Sequence, residues 1–226
     1  MSTVDVLDQL TASPALQNMA PPIQVALFMG ALALLSTVLV CATSFTRIVI
    51  VFSFVRRALT TQEIPPNSVL IGLALFMSWF IMGPTIDSIS RDVNLYMDGE
   101  ITRNEAIQAG ATHLKAFMLK QTRRQDLRLF IQMSKTEPPQ TASDTKLRVL
   151  APAFVVSELK TAFMMGFCIY IPFVLIDLVI STVLMSLGMM MMPPVVMSLP
   201  FKVLLFVLVD GWSLIARALS ASFGAG

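Results

Sequence analysis

Apolar positions along this 226-residue chain come in long blocks rather than in alternation. No charged residue occurs between Gln9 and Thr46, and none between Ile64 and Ile86. The stretch 87–148 has the opposite character and holds 18 of the 30 charged side chains. After Arg148 the apolar pattern returns, broken only by Glu158, Lys160, Asp177, Lys202, Asp210 and Arg217. No strand alternation and no internal repeat is visible. The pattern predicts an all-α chain: a lead-in at 1–20, a first apolar helical hairpin at 21–86, a polar helical insertion at 87–148, and a second apolar helical hairpin at 149–222 with its tip at 188–200.

The first apolar element starts at Pro21-Pro22, where a helix tolerates the missing N–H. From Ile23 to Val55 it would run about 50 Å at 1.5 Å per residue, well beyond the roughly 30 Å hydrocarbon core of a bilayer. Arg47 lies inside it and is expensive in lipid. The element is therefore expected to be strongly tilted, broken near Thr43-Ser44, or outside lipid over part of its length. Arg56-Arg57 and the loop TTQEIPPN turn the chain into SVLIGLALFMSWFIM, nearer a single span and expected to end at Gly83-Pro84. Ala26/Gly30 and Ser68/Gly72 have the small-xxx-small spacing that permits close helix contact.

Within the insertion, Asp98-Gly99 marks a turn and Thr102-x-x-Glu105 is a capping box. Ile107, Leu114, Phe117 and Met118 follow at helical spacing. Thr122-x-x-Gln125 is expected to cap a second helix carrying Leu127, Phe130 and Ile131. From Val149 to Leu187 the pattern predicts another overlong helix, bent at Pro152 and Pro172, with Gly188 as its stop. Pro193, Pro194 and Pro200 are expected to keep the next stretch from regular helix, and Phe201–Leu219 forms the last one.

Composition sharpens the class. The chain is 55% hydrophobic and 13% charged, against about 45–50% and about 25% for soluble domains, so it belongs in a membrane or in an apolar assembly. A net charge of +2 is too small to suggest nucleic-acid binding. Cys41 and Cys168 sit in apolar runs and read as small buried hydrophobes; His113 has no ligand-spaced partner and reads as a surface residue. The first 20 residues carry Asp5 and Asp8 and no basic residue, the wrong charge for a signal peptide. No catalytic motif is present, and neither a metal site nor a cofactor is expected.

Charges within the apolar parts carry the stronger signal, because each needs a partner or water. Glu158 and Lys160 point in different directions on one helix, so each is expected to pair with another helix or subunit. Lys202 is a candidate partner for Asp177 or Glu158, and Arg47 and Asp210 join the same set of inter-helix or inter-subunit charges. They read as registry devices first and as an ion or proton relay second. The run Met189-Met190-Met191-Met192 before Pro193-Pro194 raises three readings. It fills a turn, it ligates copper(I), or it forms a deformable seal. Four adjacent thioethers cannot all reach one ion, whereas flexible apolar methionine closes around irregular shapes. A seal needs several copies around an axis. The rival from another class is a small multispanning metal or ion transporter.

The runs TSFTRIVIVFSFVRRAL (43–59), PPNSVLIGLALF (65–76), APAFVVSELKTAFMMGF (151–167), IPFVLIDLVISTVLMSLGMMMMPP (171–194) and LPFKVLLFVLVDGW (199–212) closely resemble the FliP/SctR (SpaP) family of type III secretion export-gate proteins. YMDGEIT…EAI and LKAFMLKQTRRQDLRLFI resemble its flagellar branch rather than the injectisome branch. The resemblance implies a homopentamer joined by FliQ-like and FliR-like subunits, alongside FlhB-like and FlhA-like export components. Together these form a pseudo-helical conduit for unfolded substrates, in the bacterial inner membrane and on its periplasmic side. It also implies that much of the assembly stands above the membrane plane. The family's methionine constriction matches Met189, Met190 and Met191, with Met192 an addition, and its charged positions match Glu158, Asp177 and Lys202. Arg56-Arg57 favour a cytoplasmic turn, which places 87–148 in the periplasm.

Overall fold

The computed structural model describes residues 21–61, 64–134, 139, 141–189 and 192–224; the lead-in at 1–20 lies outside the described residues. Every regular element among them is helical. The helices are Pro21–Ala42 (α1), Phe45–Ala58 (α2), Asn67–Met97 (α3), Arg103–Gln121 (α4), Arg124–Met133 (α5), Leu147–Ser186 (α6), Pro194–Leu208 (α7) and Gly211–Ser222 (α8), with a 3-10 turn at Ala142–Asp144. The chain divides into two units, 1–40 and 41–226. Of the first, residues 21–40 are described, and they lie in α1.

The overlong first element breaks at Thr43-Ser44, between α1 and α2. Ser44 is fully buried there, and its hydroxyl meets that of Ser78 on α3 at 2.9 Å, so the break is not left with an unsatisfied side chain. In the second unit, α2 forms the centre of the core. Ile48, Val51, Phe52 and Val55 are at most 1% exposed, at the i, i+3, i+4, i+7 spacing of one helix face. They pack in one cluster with Leu70 and Ala74 of α3, Ala162 and Phe173 of α6, Phe206 of α7 and Ile215 and Leu219 of α8. A second cluster joins Met118 of α4 to Leu150 and Phe154 of α6.

Two prolines behave differently from expectation. Helix α3 does not end at Gly83-Pro84 but runs through Pro84 to Met97. Proline there removes one bond to the carbonyl four residues back. Helix-compatible sequence on both sides carries the element past the gap, and the Ser88 hydroxyl donates to the Pro84 carbonyl at 2.9 Å. Pro200 likewise lies inside α7, which starts on Pro194, a position where proline is favoured. The single last helix expected at Phe201–Leu219 is instead two, α7 and α8, bent by 61° at Val209-Asp210. Asp210 is in the left-handed region at φ 49°. Gly211 follows because a Cβ there would lie 2.3 Å from the Phe206 ring.

The close helix approach also falls elsewhere than expected. Among the described residues, nothing lies within 4 Å of a Cβ built on Gly72. The tight contact is at Gly166 of α6, where a Cβ would come within 2.5 Å of the Phe54 ring on α2, itself edge-on to Phe163 at 5.5 Å. Gly166→Ala is therefore expected to destabilise the chain by about 1–3 kcal/mol, read by denaturant unfolding in detergent. Adding Phe54→Ala should recover part of the loss; a double variant as unstable as the sum of the singles would show that the two do not meet.

In the insertion, the Thr102/Glu105 capping box is present. Thr122 does not cap α5 but closes α4 as its C-cap, its N–H and hydroxyl both donating to the Met118 carbonyl, while α5 has Arg123 at its cap position without a side-chain bond. A second box, Thr141 with Asp144, opens the 3-10 turn. The Thr102 backbone N–H and then its hydroxyl hold the Glu105 carboxyl below the usual glutamate range. A depressed carboxyl contributes stability above its unfolded value and loses it as pH falls through the folded one. In a carboxyl NMR titration of the detergent-solubilised chain, Glu105 should titrate below exposed glutamates, and Thr102→Ala should return it towards the ordinary range.

Helices α3 and α6 are each long and apolar enough to cross a membrane, and the bent pair α7–α8 would make a third span. Only 11% of the most apolar window of α6 is buried by the chain itself. The remainder needs lipid or another subunit to cover it. Cys168, expected to be buried, is exposed on α6; His113 is partly exposed on α4 with Nε2 2.9 Å from Asp92 of α3.

Candidate functional site: the methionine tip and the inter-helix charges

The tip begins where α6 stops. Gly188 is at φ 75°, its N–H donates to the Met185 carbonyl at 3.1 Å, and the Met189 N–H reaches back to Leu184 at 3.0 Å. These are the paired bonds of a Schellman stop, which only a residue tolerant of positive φ can make. Met192 N–H donates to the Met189 carbonyl at 3.4 Å, and Pro193-Pro194 starts α7. Met189 and Met192 are 41% and 39% exposed. Methionine side chains thus stand in the open on a connection with a closed hydrogen-bond pattern at its α6 end. Met190 and Met191 lie outside the described residues.

Two hairpin arms carry this tip, and an ion pair with a buried lysine staples them. Lys202 of α7, 1% exposed, donates to Asp177 Oδ2 of α6 at 2.6 Å. The Ser198 hydroxyl donates to the other carboxylate oxygen. A lysine in such surroundings would be costly alone, and the carboxylate makes it tolerable. Of the two partners the sequence left open for Lys202, packing selects Asp177. Ser198 is an addition that no charge pattern could reveal.

A second network lies at the junction of α2, α4, α6 and α8. Arg47, 2% exposed, gives Nε to Glu158 Oε2 at 2.9 Å and one Nη2 bond to Glu158 Oε1. Its Nη1 reaches the Ser222 carbonyl at 3.1 Å and hydroxyl at 2.9 Å, and its other Nη2 bond goes to Gln121 Oε1 at 3.3 Å. All five guanidinium donors are used. The group also lies 3.7 Å over the Phe223 ring, whose residue's carbonyl accepts from Gln121 Nε2 at 3.2 Å. Four elements and the chain's last turn meet on one cation.

Lys160 pairs with Asp126 of α5; the lysine is half exposed and the aspartate is 2% exposed. Arg123 N–H donates to the Ser157 hydroxyl at 2.9 Å, so the α4–α5 turn is fixed on α6 beside the Arg47 network. Glu158 and Lys160 thus diverge to α2 and α5, as their spacing on a helix requires. Asp210 is exposed on this chain and stands in the left-handed region at the α7–α8 bend. Gln121, Asp126, Ser222 and Phe223 have no anomalous sequence signal, since polar or aromatic residues in a polar insertion or at a chain end are ordinary.

Sequence comparison covers these same elements. The chain matches the model of the FliP family over residues 28–219. It is 50% identical over 208 residues to flagellar biosynthetic protein FliP of Bacillus subtilis (strain 168), spanning 92% of this chain and 94% of that relative. It is 48% identical over 208 residues to the protein of the same name from Buchnera aphidicola subsp. Acyrthosiphon pisum (strain APS), spanning 92% of this chain but just 55% of that longer relative. The protein of that name from Caulobacter vibrioides is 47% identical over 205 residues, covering 90% and 77%. The matched range includes Arg47, Glu158, the Asp177–Lys202 staple and the methionine tip, and with identity at this level over nearly its whole length the chain belongs to the FliP family.

Proposed function

We propose that this chain is a component of flagellar protein export, and specifically a core subunit of the type III export gate. In this reading several copies, five by the family pattern, surround an axis. They join FliQ-like and FliR-like subunits and work with FlhB-like and FlhA-like components at the bacterial inner membrane and its periplasmic side. Residues 87–148 form the periplasmic insertion. Unfolded flagellar proteins pass along the axis, and the ring of tips carrying Met189, Met190, Met191 and Met192 closes around them and against small ions.

The observation that carries the seal is the exposure of Met189 and Met192 on a tip whose arms are stapled by Lys202 and Asp177. An apolar, flexible side chain held out by a fixed scaffold yields to varied cargo without binding any of it tightly. The uncovered apolar length of α6 supports an assembly in which neighbouring subunits and lipid share that surface. Arg47 and Glu158, and Asp177 and Lys202, pair within the chain, while large apolar side chains of α6 stay exposed for such contacts. Arg47, Glu158, Lys160, Asp177 and Lys202 then act as registry devices that set where each tip stands.

The native mass of the detergent-purified complex, expressed with its neighbouring genes, tests the reading. A particle with about five copies of this 24.8 kDa chain plus smaller helical partners is the expected result; the copy number is the one implied by family resemblance. A monomer or dimer with stoichiometric copper would replace the seal by a thioether metal site.

A further inference from the structure

We propose that the polar insertion carries a head-to-tail contact between copies of this chain. The acidic α3–α4 tip of one copy docks on the outer face of α5 of the next. The inference deepens the reading of several copies around an axis and rests on it.

Both surfaces belong to the second unit and consist of described residues. Residues 98–105, at the tip, hold three carboxylates against one base, Arg103. Glu105 is committed to Thr102. Asp98 and Glu100 are exposed, and among the described residues their side chains make no hydrogen bond or ion pair. Asp98 stands at the C-cap of α3, where the helix dipole disfavours a carboxylate, so local structure does not account for it. Tyr96 and Met97 beside it are exposed as well. The outer face of α5 has the opposite charge. Residues 120–128 hold four bases against Asp126, which is buried and paired with Lys160. Arg123 is turned onto α6, where it bonds the Thr161 hydroxyl at 3.0 Å. Arg124, Gln125, Arg128, Leu129 and Gln132 are exposed and share one side of the helix by their spacing. Among the described residues neither Arg124 nor Arg128 has a hydrogen bond or ion pair; Glu137 lies outside them.

The tip and Arg124 are too far apart to serve each other within one chain. The tip precedes α4 and Arg124 follows it, and the 19 residues of that helix span about 28 Å. Salt screens exposed charges beyond roughly 8 Å. A second copy is the occupant that answers both surfaces at once. Its carboxylates meet the free guanidinium groups, which take a carboxylate through two parallel bonds, and Tyr96 and Met97 meet Leu129. Tyrosine, methionine and arginine are the side chains that interfaces favour, and acid facing base fixes the register. The two surfaces differ, so the contact is heterologous: it passes from copy to copy and closes into a ring.

The test co-expresses the full chain with its neighbouring genes and counts its copies per detergent-purified particle by native mass, after purification at low and at high salt. Arg124→Glu/Arg128→Glu should lower the yield of full rings about tenfold at low salt, because like charges then face each other. The yield should recover at about 1 M salt, where charges act only within about 3 Å. Asp98→Lys/Glu100→Lys should do the same. All four side chains are exposed and without a described partner, so helicity and melting should stay those of the unaltered chain. Combining the two pairs should restore the ring, since the charges are then exchanged rather than opposed. Full rings at undiminished yield in both pair variants overturn the contact and leave the reading of several copies standing. An unaltered chain that never exceeds a monomer or dimer removes that reading, and the contact with it. Loss without rescue in the combined variant, or loss of a different subunit from an intact ring, gives these faces to another partner and also overturns the proposal.

Discussion

Glu158→Ala is expected to destabilise the chain by about 3–5 kcal/mol, the scale of breaking one side of a buried ion pair. The loss comes less from the pair's own attraction than from what remains. Arg47 would keep its charge at 2% exposure with two of its five donors unanswered. Arg47→Met should cost a similar amount for a different reason, since it also releases the Ser222 carbonyl and the Gln121 amide and the stacking on Phe223. The double variant Arg47→Met/Glu158→Leu fills the same space with apolar atoms and leaves no buried charge. It should be clearly more stable than the sum of the singles, as coupled neighbours are. Denaturant unfolding of all four proteins in one detergent reads the cycle. Strict additivity would mean that the two residues act independently and that the network does not hold α2 to α6.

The second large effect is functional. Changing Met189, Met190, Met191 and Met192 together to alanine should make the closed gate leak small ions, measured as conductance or growth sensitivity in cells expressing the complete complex. Changing them to leucine should leave it tight. Alanine removes everything beyond Cβ, so an apolar constriction widens and wets; leucine keeps an apolar side chain of similar volume. If sulfur coordination were the purpose, leucine would fail as badly as alanine. If alanine were as tight as wild type, the seal would have to lie elsewhere. The Asp177–Lys202 staple offers a control: disturbing it should loosen the tip while leaving every methionine in place.

Several features were legible in the chain before any coordinates. The break at Thr43-Ser44 was one of the three outcomes expected of an element too long for one span with an arginine inside it, and the structure selects it. The Thr102/Glu105 box followed from spacing, and the α6 stop from the one glycine preceding a methionine-proline run. Gly188 must adopt positive φ there, which glycine alone does without strain. Family membership was also legible, because long runs of matching residues are specific where any short motif is not.

What the sequence could not decide has a common cause. In α6 and α7 most positions are apolar, so periodicity does not say which face turns inward; in α2 packing buried the face of Ile48, Val51, Phe52 and Val55 and carried Arg47 in with it. Arg47 and Glu158 are 111 positions apart, and nothing local links them. Pro84 and Pro200 read as stops because proline removes one backbone bond and crowds another. Such a penalty is local, and the helix on either side outweighs it. The α7–α8 bend arose at a left-handed aspartate beside a glycine that makes room for the Phe206 ring. The sequence by itself determined the class, the family, the Thr102/Glu105 cap and the glycine stop that begins the tip, since each can be read without knowing which helices pack together. Tertiary structure alone decided which faces are buried and which charges meet, because those depend on neighbours brought together only by packing.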